Sequence, residues 1–155
     1  MSKTVTYLHI RAISARATRG VLTFGSLVVP CALGRSGRLV LKREGDGGTP
    51  VGFWLLRRIY YRGDRLIRPL SKIPASPIKG GWGWCETVGD GNYNRRVDLP
   101  YPAAHEDLKR PDHLYDIVVE TSHNQRPRIQ GRGSAIFFHL ARESFAPTAG
   151  CIAVT

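Results

Sequence analysis

Glycine and proline interrupt this chain so often that long regular elements have little room to form. Seventeen glycines and ten prolines are spread over 155 residues. Between them stand short apolar, β-branched runs. Glycine weakens the interior of a helix or strand, and proline removes a backbone donor and fixes φ. A chain cut in this way is expected to fold as many short strands joined by turns.

Thr4 to Ile13 alternates in polarity and reads as a strand. Gly20 to Gly34 holds two short strands around Gly25-Ser26, a hairpin signal. Gly52 to Tyr61, Leu114 to Thr121, Ala135 to Leu140 and Ile152 to Val154 read as further strands. The basic, glycine-rich stretch after Arg35 ends in Gly45-Asp46-Gly47-Gly48-Thr49-Pro50 and is expected to be an ordered loop. It lacks the Gly-Lys-Ser/Thr ending of a phosphate cradle. Residues 86–102 read as a long structured surface loop of the kind that often binds. Ala103 to Arg110, between Pro102 and Pro111, is the best helix candidate. These readings predict one mainly β domain over residues 1–155, a sandwich or barrel with one or two short helices.

The balance of 23 basic to 12 acidic residues gives a net charge of +11. Such a surface attracts anions. The basic residues are dispersed without a recognisable motif, so nucleic acid is not an expected partner. No stretch has the apolar length to cross a membrane, and no membrane insertion is expected. Met1 to Gly20 is interrupted by Lys3, His9, Arg11, Arg16 and Arg19 and lacks the continuous apolar core of a signal peptide. The sequence as written therefore reads as cytoplasmic, and as periplasmic or envelope-bound if its start is truncated. Cys31, Cys85 and Cys151 form no CxxC, which argues against a zinc ribbon or a disulfide framework. His105 and His113 lack a partner at i, i+4 and read as surface residues rather than metal ligands. No metal and no cofactor are expected.

The last twenty-two residues carry the chemistry. An apolar run ends in His139, a polar loop follows, and Thr148-Ala149-Gly150-Cys151 leads into a second apolar run. This order brings a thiol and an imidazole to two strand ends. The glycine suits a tight turn whose Gly150 and Cys151 N–H groups face a developing oxyanion. Neutral imidazole takes the thiol proton, or the pair rests as thiolate–imidazolium. The plain alternative is a buried, inert cysteine.

This segment resembles the catalytic end of the L,D-transpeptidase (YkuD-like) family, whose motif is a strand-end histidine, a loop, and Ser/Thr-x-Gly-Cys-Ile/Val. The likeness extends to Lys42-Arg-Glu-Gly-Asp-Gly-Gly-Thr-Pro-Val-Gly52, Tyr93-Asn-Arg95, Leu114-Tyr-Asp-Ile-Val-Val119 and Gln130-Gly-Arg-Gly-Ser-Ala-Ile-Phe-Phe-His139. It implies a mixed-strand sandwich with Cys151 as nucleophile and His139 as base. It also implies that the Leu140 carbonyl orients the imidazole, that Gly150 and Cys151 hold the oxyanion, and that Thr148 braces the turn. The substrates implied are peptidoglycan stem peptides or muropeptides, with release of the terminal D-Ala through a thioester. Water in place of an amine acceptor would make the activity an L,D-carboxypeptidase.

Three departures stand out. Ala149 replaces the family's histidine, Ala153 replaces its arginine, and its usual closing helix and strand are not expected before Thr155. The two alanines keep a catalytically inactive wall-binding domain among the alternatives. Candidates for gripping substrate are Arg95, Arg96, Arg132 and Arg142, with His123 and Tyr93 as possible pocket walls. Trp82 and Trp84 read as a stacking wall or as loop core, and Cys85 as buried structure.

Overall fold

The structure, a computed structural model, describes residues 6–155. Thirteen strands follow in chain order. The first seven are β1 (His9–Arg11), β2 (Arg19–Phe24), β3 (Leu27–Ala32), β4 (Arg38–Leu39), β5 (Thr49–Pro50), β6 (Leu56–Tyr61) and β7 (Ala75–Pro77). The last six are β8 (Trp82–Cys85), β9 (Arg96–Asp98), β10 (His105–Asp107), β11 (Ile117–Thr121), β12 (Phe137–Leu140) and β13 (Ile152–Val154). The described residues include no helix. The mainly β fold expected from the glycine and proline pattern is the one observed.

Eight strands form one sheet in the order β1-β2-β3-β13-β12-β11-β6-β7. The β12–β13 and β6–β7 pairs are parallel and the remaining neighbours antiparallel, so the sheet is mixed. A three-stranded antiparallel sheet, β10-β8-β9, lies over it. The two layers meet where the Trp84 indole stands edge-on to Phe137, ring centres 5.0 Å apart. Val118, Tyr60, Leu108 and Tyr115 complete that core. The opposite face of the large sheet buries Cys31, Leu33 and Ile152 under Ile10 and Phe138. The packing of the small sheet on the large one matches the expected sandwich class.

The hairpin turn falls where Gly25-Ser26 placed it, with Gly25 at φ 58° and Phe24 paired to Leu27. Two expectations need correction. Ala103 to Arg110 is not a helix: β10 occupies its centre, and His105 and Glu106 pair with Cys85 and Trp84. Eight residues between prolines support barely two helical turns, and strand pairing with β8 supplies more hydrogen bonds and buries Leu108. The strand over Gly52 to Tyr61 begins only at Leu56, because Gly52 to Leu55 leaves Phe53 exposed at the sheet's end. The first residues of the strand read over Thr4 to Ile13 lie outside the described part of the chain.

Phe137 is 1% exposed and packs between Trp84 and Tyr115. Phe137→Ala should lower unfolding free energy by about 3–5 kcal/mol, read as a shift in urea midpoint.

Candidate active site

β12 and β13 run parallel, side by side, with Phe138 opposite Ile152 and His139 opposite Ala153. Strand alternation then puts Phe137, His139, Cys151 and Ala153 on one face of the sheet. Phe138, Leu140, Ile152 and Val154 take the other. Two residues that the sequence places apart, at 139 and 151, thus become neighbours on adjoining strands. Both line a cavity of about 420 Å³ that also admits Thr148, Arg142, Tyr115 and Glu106.

The loop between β12 and β13 is anchored before it reaches the thiol. Thr148 pairs with Gly34: its N–H donates to Leu33 O at 2.9 Å and its carbonyl accepts from Arg35 N–H at 2.8 Å. Thr148 Oγ1 donates to Cys151 O at 2.6 Å and accepts from Gly150 N–H at 3.1 Å. Gly150 has φ 137°, and a Cβ there would stand 2.9 Å from Gly48 O. The Gly45 to Pro50 loop is therefore the backing of the Cys151 turn, a role its sequence alone did not disclose. Asp46 holds that loop by accepting from Arg43 N–H at 2.6 Å, from Gly48 N–H at 3.0 Å and from the Lys42 ammonium. Thr148→Val removes both hydroxyl bonds and should cost about 1–3 kcal/mol, with Thr148→Ser close to the parent, both read from denaturant midpoints.

One oxyanion expectation changes with this geometry. Gly150 N–H is engaged by Thr148, which leaves Cys151 N–H as the free donor at the turn: it makes no hydrogen bond among the described residues. The thiol accepts from Phe137 N–H at 3.3 Å and donates to Ala135 O at 3.1 Å. Ala135 holds φ 51°, a left-handed conformation that aims its carbonyl at the sulfur.

His139 Nδ1 lies 2.7 Å from Leu140 O. A carbonyl only accepts, so Nδ1 carries the proton and Nε2 is the free base. The Tyr115 ring stands edge-on to the imidazole at 5.2 Å, and its hydroxyl donates to Glu106 Oε1 at 2.5 Å. Arg110 reaches Glu106 at 3.4 Å while gripping Asp112 with two bonds of 2.9 and 2.8 Å. Burial pushes His139 down to about 4, against the Leu140 bond, with Arg110 and Arg142 adding to the fall. Burial, reinforced by the Glu106 charge, pushes the Cys151 thiol up to about 12. Both shifts favour a neutral thiol and a neutral imidazole in the free pair.

Among the expected substrate-gripping residues, Arg142 lines the cavity and is exposed at its rim. Tyr93 is buried structure: its hydroxyl donates to Glu44 and accepts from Gly133 N–H. His123 is buried beside Trp54, its Nε2 against Arg132 O at 3.0 Å, and neither it nor Arg132 lines the cavity. Arg95 and Arg96 lie outside it too, with the Arg96 guanidinium 4.0 Å over Trp82. Ala153, 1% exposed, packs with Ala32 and Ala141, and Ala149 is exposed at the rim. Sequence reading missed Glu86, Glu106, Arg110 and Tyr115, which share the cavity with the thiol. Glu106 was concealed by the helical reading of its segment.

No metal-binding group of three or more His, Cys, Asp or Glu occurs among the described residues. No described helix is long and apolar enough to cross a membrane. A family model described as the L,D-transpeptidase catalytic domain (YkuD) matches residues 14–155. Neither the curated proteins nor the solved structures give a significant match.

Proposed function

The chain belongs to the L,D-transpeptidase catalytic-domain family, and we propose that residues 1–155 act as one catalytic domain, a cysteine acyltransferase for peptidoglycan stem peptides. The observation that carries this reading is the His139 imidazole. Its Nδ1–H is tied to Leu140 O, so its basic Nε2 is free in the cavity that holds the Cys151 thiol.

The reaction begins when the S–H turns from Ala135 O and gives its proton to His139 Nε2. Sulfur attacks the carbonyl carbon of the third stem residue, and Cys151 N–H stabilises the resulting oxyanion. The C–N bond to the terminal D-Ala breaks as His139 returns the proton to the leaving amine. A thioester on Cys151 remains. An acceptor amine then attacks it, giving a cross-link and restoring the thiol. Water in place of the amine gives a tripeptide. The exposed Arg142 at the rim meets a stem-peptide carboxylate.

Incubation with a disaccharide tetrapeptide, followed by intact-protein and product mass, tests this reading. A mass gain on Cys151 with loss of D-Ala is expected, and a dimeric product marks the transferase. Tripeptide alone marks the carboxypeptidase. Absence of both adduct and turnover removes the enzyme reading and leaves a wall-binding domain.

A further inference from the structure

Glu86 stands just after β8, half-buried, with its side chain in the cavity that holds Cys151. Its carboxylate makes no hydrogen bond and no ion pair with any described residue. The carboxylates whose charges act on it are Glu106 and Glu44. Two cations of the same cavity are committed elsewhere, Arg110 to Asp112 and Glu106 and Lys42 to Asp46 and Arg43 O, while Arg35 and Arg142 line it without bonding Glu86. Charges drawn out of water are normally paired, whereas this half-buried one lies among like charges, with His105 acting in the opposite sense.

A second group points the same way. Ser134 is 6% exposed and lines the same cavity, and among the described residues its hydroxyl makes no hydrogen bond of normal geometry, with the Tyr93 hydroxyl as its polar neighbour. The neighbouring Tyr93 hydroxyl already donates to Glu44 and accepts from Gly133 N–H. The cavity thus offers an unpaired carboxyl and an unpaired hydroxyl on the nucleophile's side of the sheet. Both are acceptors suited to N–H donors, and an ammonium supplies three.

We infer that Glu86, backed by Glu106 and Ser134, forms a subsite for a primary ammonium group of the peptide that reacts at Cys151. The inference rests on the acyl-transfer reading above. Two sources carry this chemistry: a side-chain amine on the donor peptide, and the amine of the acceptor, which passes a proton to the Glu86 carboxylate before its lone pair attacks the thioester. Burial and the two neighbouring carboxylates push Glu86 up to about 7 when the cavity is free. A bound ammonium restores the charged form, because an opposite charge favours it.

Two measurements on the whole protein test the subsite. The first compares rates of Cys151 acylation by a disaccharide tetrapeptide with its side-chain amine free or acetylated. The second compares capture of the acyl-enzyme by a cationic amine and by hydroxylamine, which is neutral at pH 7. The parent protein is expected to favour the cationic form in at least one arm by about tenfold or more, the size of a charge-assisted bond. Glu86→Gln should erase that preference while leaving the acetylated donor or hydroxylamine within about twofold, and Glu86→Asp should restore part of it. The arm that responds names the source. An equal fall for cationic and neutral partners, or an unchanged preference in both arms, overturns the subsite. Failure of the parent protein to form any adduct overturns the acyl-transfer reading itself.

Discussion

Cys151→Ala should form no acyl adduct with a disaccharide tetrapeptide, and turnover should fall by a factor on the order of 10⁴ or more. No other thiol can replace it. Cys31 and Cys85 are 0% exposed, and the cavity lining includes neither. Cys151→Ser separates chemistry from folding. A serine hydroxyl can donate to Ala135 O and accept from Phe137 N–H, as the thiol does. The serine protein should therefore unfold near the parent midpoint yet remain inactive, because a weakly acidic alcohol gives up its proton to a base this poor only with difficulty. Turnover of the alanine protein within about tenfold of the parent would place the nucleophile elsewhere.

How far the sequence discloses this site depends on whether the signal is local. The His139 strand, the Gly25-Ser26 turn and the Cys151 strand follow from short-range patterns, and each stands where the pattern put it. What brings His139 and Cys151 together is parallel pairing of β12 with β13, a contact that no local pattern encodes. The Gly45 to Pro50 loop shows the same limit. Its glycines announce a turn, but only the close approach of Gly48 O to Gly150 shows what the turn supports. Glu106 fails for a different reason. Its segment carries helix formers, and pairing with β8 overrides that preference. Glu86 lay in a stretch read as a binding loop, yet nothing in its neighbours marks it out from other loop acids. Its lack of a hydrogen-bonding or ion-pairing partner among the described residues is visible only in three dimensions. The arginines show the converse: a basic surface supplies many, and packing leaves Arg95, Arg96 and Arg132 outside the cavity while Arg142 lines it.

Acidification should inactivate the protein near pH 4 rather than near 6.5. His139 is a base only while neutral, and burial among β11, β12 and β13 holds its folded value at about 4. Arg110 and Arg142 push the same way, while Asp112 and the Leu140 carbonyl oppose them. The sign for stability follows from proton uptake. Between about pH 6.5 and 4 an unfolded histidine binds a proton that the folded one does not. Stability is therefore lost as pH falls through that window, by up to about 3 kcal/mol for this group. Glu86 acts in the opposite sense. Its folded value of about 7 lies above the usual 4.5, so the folded state keeps a proton that the unfolded chain releases. Stability from that group is lost as pH rises from about 4.5 to 7. The two slopes oppose each other, so the parent protein should show a shallow profile there. Glu86→Gln should expose the steeper acid loss due to His139, and His139→Gln should remove it. On the alkaline side the thiol decides. With Cys151 raised to about 12, alkylation by iodoacetamide at pH 7 should be roughly 10³ slower than for an ordinary thiol and should climb without a plateau to pH 10. A plateau with a midpoint below pH 7 would instead reveal a thiolate–imidazolium pair, and the proton transfer to His139 would then precede substrate binding.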